Sequence, residues 1–135
     1  MASVSELRDG LKTNLATITG LRTADTVPDN PNPPIAIVLP QSVSYDDAFH
    51  RGMNTYTFAI MVLVNRVSER TAQNSLDAYI SGTGSYSIKL AVESDKTLGG
   101  YAYDVRLTDL RNYGSVTIGE IEYLSAEFVV LCYAD

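Results

Sequence analysis

Two stretches in which apolar side chains recur at every second position constrain this chain most. Tyr101, Tyr103, Val105 and Leu107 alternate with Ala102, Asp104, Arg106 and Thr108. Further on, Glu120 and Glu122 alternate with Ile121 and Tyr123, after which Ala126, Phe128, Val130 and Cys132 carry the apolar set on even positions. A period of two sends successive side chains to opposite faces, so both stretches read as strands, the first half-exposed. A glycine-bearing turn that holds Tyr113 joins them. The apolar parity changes near Leu124–Ser125, which predicts a bulge, or a strand that passes from the domain core to a contact with another subunit. Almost no group in the 96–133 segment could do chemistry.

The rest of the chain supplies helices to cover such a sheet. Ser3 and Glu6 have the spacing of a capping box. Val4, Leu7, Leu11, Leu15 and Ile18 then follow at three- and four-residue steps, predicting an amphipathic helix over about 4–19 with Gly20 as its left-handed cap. Residues 25–34 hold four of the five prolines and read as an extended connection. Ile35 to Leu39 is a short apolar strand, and residues 41–52 a long polar loop. In 54–64 the even positions Tyr56, Phe58, Ile60, Val62 and Val64 are all apolar, and the odd ones turn apolar at Ala59, Met61 and Leu63. That pattern predicts a strand covered on both faces at one end. Ser68 caps a second helix over about 69–81, with Ala72, Leu76, Tyr79 and Ile80 inward. Residues 86–93 suit a strand or a short helix, the helix being favoured with Ser85 as its cap. The expected fold is one α+β domain over residues 1–135: a four- to five-stranded antiparallel or mixed sheet with an N-terminal helix and one or two further helices packed on it.

Composition excludes several function classes. No apolar run reaches the ~18–20 residues of a membrane helix, and the first residues lack the pattern of a signal peptide. Sixteen acids against ten Lys and Arg give a net charge of −6, a poor basis for neutralising nucleic-acid phosphates. The single cysteine, Cys132, permits no intrachain disulfide and sits in an apolar strand, where it reads as a small buried hydrophobe.

Candidate chemistry is sparse. Asp46, Asp47 and His50 form the one cluster with metal-ligand residue types, but a rigid divalent site needs three or four ligands and a second shell, so a solvated loop is the expectation. No nucleophile-elbow sequence accompanies His50. The glycines of residues 82–85 and 98–100 lack the spacing and the lysine of a phosphate loop and read as caps and turns. No catalytic residue, cofactor or metal is expected, and the chain reads as a non-enzyme. Nine tyrosines without a tryptophan, several of them (Tyr45, Tyr113, Tyr133) at positions expected near solvent, suit either a domain edge or self-association.

The line from Glu93 to Phe128 resembles the tail terminator proteins of long-tailed phages, particularly the short terminators of actinobacterial phages. It has an acidic helix end (Glu93 to Asp95), a Leu98-Gly99-Gly100 turn, an acid-x-Arg strand (Asp104-Val105-Arg106) and the strand Tyr123-Leu124-Ser125-Ala126-Glu127-Phe128. The opening helix, the proline-bounded strand and the 70–80 helix fall in that family's order. The resemblance implies a structural virion protein, assembled in the host cytoplasm. A hexameric ring of it caps the head-proximal end of the tail tube, ends tube polymerisation and joins tail to neck. Its implied partners are further copies of itself, the tail tube protein and a neck or head-closure protein. DNA passes through the lumen without specific binding, and Asp104, Glu120 and Glu122 are candidates for an acidic lumen wall. The 41–52 loop, with Tyr45, Asp46, Asp47, Phe49, His50 and Arg51, is the candidate contact with an adjoining ring or subunit. Another head–tail connector, such as a head-closure or tail-completion protein, and a non-viral small binding module are the alternative readings.

Overall fold

The first helix starts where the sequence places it. In the computed structural model, which describes residues 3–18, 20–26, 34–45, 53–66 and 70–134, helix α1 spans Val4–Leu15. Ser3 Oγ accepts from the Glu6 amide at 3.1 Å and Glu6 Oε1 accepts from the Ser3 amide at 3.0 Å, completing the capping box. The helix stops a turn earlier than its apolar stripe. Thr17 donates its hydroxyl to the Asn14 carbonyl at 2.8 Å, and β-branched Thr17 and Ile18 favour leaving the helix. Ile18 is buried all the same, in the turn that follows, and Gly20 adopts its positive φ of 84° there rather than as the helix cap.

Five strands form one sheet in the order β1-β2-β3-β5-β4. They are β1 (Arg22–Ala24), β2 (Ile35–Ser44), β3 (Asn54–Arg66), β4 (Asp104–Ile118) and β5 (Ile121–Ala134). β1 lies parallel to β2 and the remaining pairs are antiparallel, so the sheet is mixed. With α1, α2 (Arg70–Ile80) and α3 (Ile88–Val92) this is the expected α+β fold. β2 is longer than anticipated and runs through Pro40 to Ser44, so the loop starts after it. Proline is tolerated because β1 pairs only with residues 35–37, leaving that side of β2 open at residue 40, where a bulge follows. Ser87, not Ser85, caps α3, its Oγ accepting from the Leu90 amide at 3.2 Å. The cap proposed at Ser68 and most of the 25–34 connection lie outside the described residues.

The helices cover one face of the sheet. Leu7, Leu11, Leu15, Leu76, Tyr79, Ile88 and Val92 pack on Ala36, Val38, Phe58, Ile60, Val62, Phe128 and Val130. The opposite face carries a smaller apolar group, in which Ile35, Ile37, Leu63 and Tyr123 are buried. The far end of the β4–β5 hairpin contributes Val116, Ile118 and Ile121 to it. The parity change in β5 follows from these two groups. β5 has no extra residue; its buried side chains pass from the outer group at Tyr123 to the helix-covered core at Ala126, Phe128 and Val130. The strand therefore passes between two apolar groups of its own chain, and the bulges lie in its neighbours. β3 gains a residue between Leu63 and Arg66, and β4 gains one between Arg111 and Gly114.

Two further expectations are corrected. The turn joining the last two strands is at Gly119 and Glu120, between the paired Ile118 and Ile121. Tyr113 sits in β4 beside the bulge, where Asn112 takes the left-handed φ of 56° that this side chain tolerates. The strand also begins at Asp104, so Tyr101 and Tyr103 precede it and are exposed while Ala102 between them is buried. The 98–103 stretch is a turn held to the preceding helix end, which overrides its alternating pattern.

Candidate functional site

That turn explains the glycines of residues 98–100. Asp95 accepts from the Thr97 hydroxyl at 2.8 Å and from the amides of Thr97 and Gly99, both at 3.1 Å. The Thr97 hydroxyl bond, with the two amide bonds, holds the Asp95 carboxyl below the usual aspartate range. Leu98 is nearly fully buried with φ 49°, and Gly99 and Gly100 follow at 75° and 100°. Opposite, α1 presents Gly10, where an added Cβ would lie 2.7 Å from Leu98 Cβ. Buried Asn14 donates to the carbonyls of Val92 and Asp95 at 2.9 and 3.0 Å, tying α1 to the end of α3. A cleft of about 310 Å³ remains, lined by Glu6, Asp9, Thr13, Asp95, Gly99 and Tyr101. Glu6, Asn14 and Asp95 make the cap and turn contacts just described, the Thr13 hydroxyl donates to the Asp9 carbonyl at 2.9 Å, and the Asp9 carboxylate lies 3.8 Å from Lys12 Nζ.

Among the described residues no three His, Cys, Asp or Glu side chains stand close enough to hold a metal ion. Asp46, Asp47, Phe49, His50 and Arg51 lie outside the described residues. Tyr45, the described member of that proposed contact loop, is 72% exposed. Burial pushes the Cys132 thiol up to about 12, which leaves it protonated and unreactive at neutral pH. The acidic candidates do not share a place. Asp104 opens β4 opposite Tyr133, whereas Glu120 is in the hairpin tip and Glu122 faces Thr117 near it. The thirteen steps of β4 between Asp104 and Thr117 separate them by roughly 40 Å.

β4 forms one edge of the sheet. This fifteen-residue strand closes one side of the sheet, and the other side ends in the three-residue β1. Arg106 and the whole run from Thr108 to Tyr113 are exposed. Direct antiparallel partners share a face. Asp104, Arg106, Asp109 and Arg111 oppose Tyr133, Leu131, Val129 and Glu127, on the outer face; Val105, Leu107 and Leu110 oppose Cys132, Val130 and Phe128, on the helix-covered face. The extra residue at Thr108 makes this possible, because without it Asp109 would fall on the face opposite Arg106.

Two polar clusters border the edge. Arg111 donates to Glu127 Oε1 from Nη2 at 2.7 Å and from Nε at 3.1 Å, and Nη2 also reaches Gln41 Oε1 at 2.7 Å. Gln41 and Asn112 donate to the same carboxylate, so side chains of β2, β5 and β4 are strapped together across the outer face. Burial raises the Glu127 pKa, but Arg111, Asn112 and Gln41 outweigh it and leave the group below its ordinary value. At α3, Glu93 Oε2 accepts from the Leu107 amide at 3.0 Å and from Lys89 Nζ at 2.8 Å, and Lys89 Nζ approaches the Leu107 carbonyl at 3.4 Å. The strand edge is thus stoppered at one residue.

These features define an α+β sheet protein in which a long, largely exposed strand, β4, forms one edge of the sheet. No protein-family model matches the chain, and no curated protein matches it.

Proposed function

We propose that this chain is a structural subunit of a phage tail, a terminator whose ring caps the head-proximal end of the tail tube. The sequence resemblance over Glu93–Phe128 names the assembly. The observation that carries an associating rather than a catalytic role is the long β4 edge, with Tyr103, Leu110 and Tyr113 exposed on or beside it. An exposed edge offers unpaired backbone groups to another chain, and aromatic side chains give contact area at low entropic cost. A heterologous contact between copies closes a ring when its rotation fits. The negative balance of the chain suits a lumen through which DNA slides unbound.

The test is tube length. Purified protein added to polymerising tail tube protein should cap the tubes, shorten their length distribution and appear by electron microscopy as a ring at one end. Tubes of unchanged length with no terminal density refute the proposal. The loop is tested separately by replacing residues 46–51 with a short Gly-Ser linker, which spares the β2 pairs Val43–Tyr56 and Ser44–Thr55. Loss of capping with an intact fold supports a contact role for the loop, and undiminished capping removes it.

A further inference from the structure

The edge strand carries a pattern that reads the same on a second copy of itself. Around the midpoint of Leu107 and Thr108 the sequence is Asp104-Val105-Arg106-Leu107-Thr108-Asp109-Leu110-Arg111. Laid antiparallel on itself about that midpoint, Asp104 meets Arg111, Val105 meets Leu110, Arg106 meets Asp109 and Leu107 meets Thr108. Every charge meets its opposite, and Val105 meets Leu110 on the other face. The complementarity is three-dimensional, because the Thr108 bulge puts all four charges on the outer face and Val105, Leu107 and Leu110 on the other. Neither Arg106 nor Asp109 has an ion-pair partner among the described residues. The same register brings Tyr103, 60% exposed, beside Asn112 and Tyr113 of the other copy.

We infer that two copies of this chain pair through β4 in antiparallel fashion across a two-fold axis, joining their sheets into one. Opposite charges directly across an antiparallel pair stabilise it and like charges oppose it, so the pattern fixes register as well as partner. The pairing replaces the Glu93 and Lys89 contacts at Leu107, near the two-fold axis, with backbone hydrogen bonds. α3 therefore sets a threshold that restrains random edge-to-edge association. An isologous contact closes on two copies and builds no ring. The pair is a separate state in which the edge is masked, and it stands whether or not the ring reading holds.

Charge reversal tests it. The variants R106D and D109R each place like charges across both central pairs, and both sites are exposed, so circular dichroism should show an unchanged fold. Each alone should dissociate at least about tenfold more readily than the parent in sedimentation or native mass spectrometry, and the difference should shrink in high salt. Mixed in equal amounts they should form a heterodimer. The carboxylate introduced in one variant then faces the guanidinium introduced in the other, and the native Arg106 faces the native Asp109. A wild-type chain that stays monomeric at its highest soluble concentration overturns the inference. So does a mixture with no heterodimer, and so does any oligomer, a hexamer included, that tolerates both single substitutions. That last result would leave the ring proposal standing, whereas a complementing dimer without effect on tube length would leave only the pairing.

Discussion

Replacing Gly10 by alanine should destabilise this protein, although the same change in an ordinary helix stabilises it. Two terms compete. Alanine in a helix interior is favoured over glycine by about 1 kcal/mol, because glycine loses more backbone freedom on folding. Against this, the new methyl would stand 2.7 Å from Leu98 Cβ and 3.3 Å from the Leu98 carbonyl oxygen. Neither atom is the end of a flexible side chain. Leu98 is 2% exposed, and its turn is held by the Asp95 carboxylate and by the Thr97 bonds to Gly100 and Ala102 at 2.9 and 2.8 Å. Overpacking against a fixed group costs about 1–3 kcal/mol, and attachment to backbone puts this contact at the upper end. The balance is a net loss of about 2 kcal/mol, which should lower the urea midpoint by ~1 M and the melting temperature by several degrees. Gly82→Ala is the control, because nothing lies within 4 Å of a Cβ there, and it should leave the midpoint unchanged or slightly raised. Leu98→Gly supplies a double-mutant cycle. It removes the Cβ that Gly10 abuts and leaves only backbone atoms of residue 98 at 3.3 and 3.4 Å, so in that background Gly10→Ala should cost markedly less than in the parent. A Gly10→Ala variant as stable as the parent, or more so, refutes the close-approach account of this helix and turn.

Stability should fall as pH drops through the acid range. Glu93 and Glu127 both lie below their ordinary value of 4.5 when folded, so their contribution is complete above that value and is lost as pH descends through the folded pKa. Urea midpoints measured from pH 6 to pH 3 should show this fall, and Glu127→Gln should flatten it. The Cys132 thiol should react with an aromatic disulfide only as fast as the strand opens, so labelling should accelerate sharply in denaturant; rapid labelling of the native protein would contradict its burial. Glu93→Ala frees the Leu107 amide and should tighten self-association by a few-fold to about tenfold in sedimentation, since a hydrogen bond to a charged group is exchanged for a backbone one.

Much of the fold was legible where one local pattern agreed with the tertiary arrangement. The capping box at Ser3 and Glu6, the inward stripe of α1 and the two-sided burial at the end of β3 are examples of such agreement. Readings failed where a distant partner decided the outcome. Nothing local in Arg22–Ala24 announces a strand; those residues are one because Ile35–Ile37 lies alongside. Pro40 looked like a strand end, but it costs nothing beyond the reach of β1. The sequence Asn112-Tyr113-Gly114 has turn chemistry and forms a bulge instead, because the hairpin closes five residues later at Gly119, with φ 67°. The candidate surface was visible only as scattered tyrosines. Its charge order was present in the sequence, but no period-of-two reading could align Arg106 with Asp109, three residues apart.

That misalignment shows what the bulges do for the surface. β5 is regular from Ile121 to Ala134, and both register shifts between it and β4 come from extra residues in β4. The first, at Thr108, restores the charges to one face after an odd step. The second, at residues 112–113, returns Ser115 and Val116 to pairing opposite Leu124 and Tyr123, so that Val116 and Ile118 join the outer apolar group. A strand without either extra residue would turn Asp109 and Arg111 toward the helix-covered face, where Val130 and Phe128 are fully or nearly fully buried. Arg106 and Asp109 would then lie on opposite faces, and the alternation of charge along the outer face would be lost. The bulges therefore let one strand form both an edge whose charges stay wet and ordered and a hairpin end that closes the back of the sheet. An edge protected only against aggregation needs scattered charge. The ordered alternation along Asp104, Arg106, Asp109 and Arg111 is more than protection requires, and a second copy of the same strand is the surface that it matches.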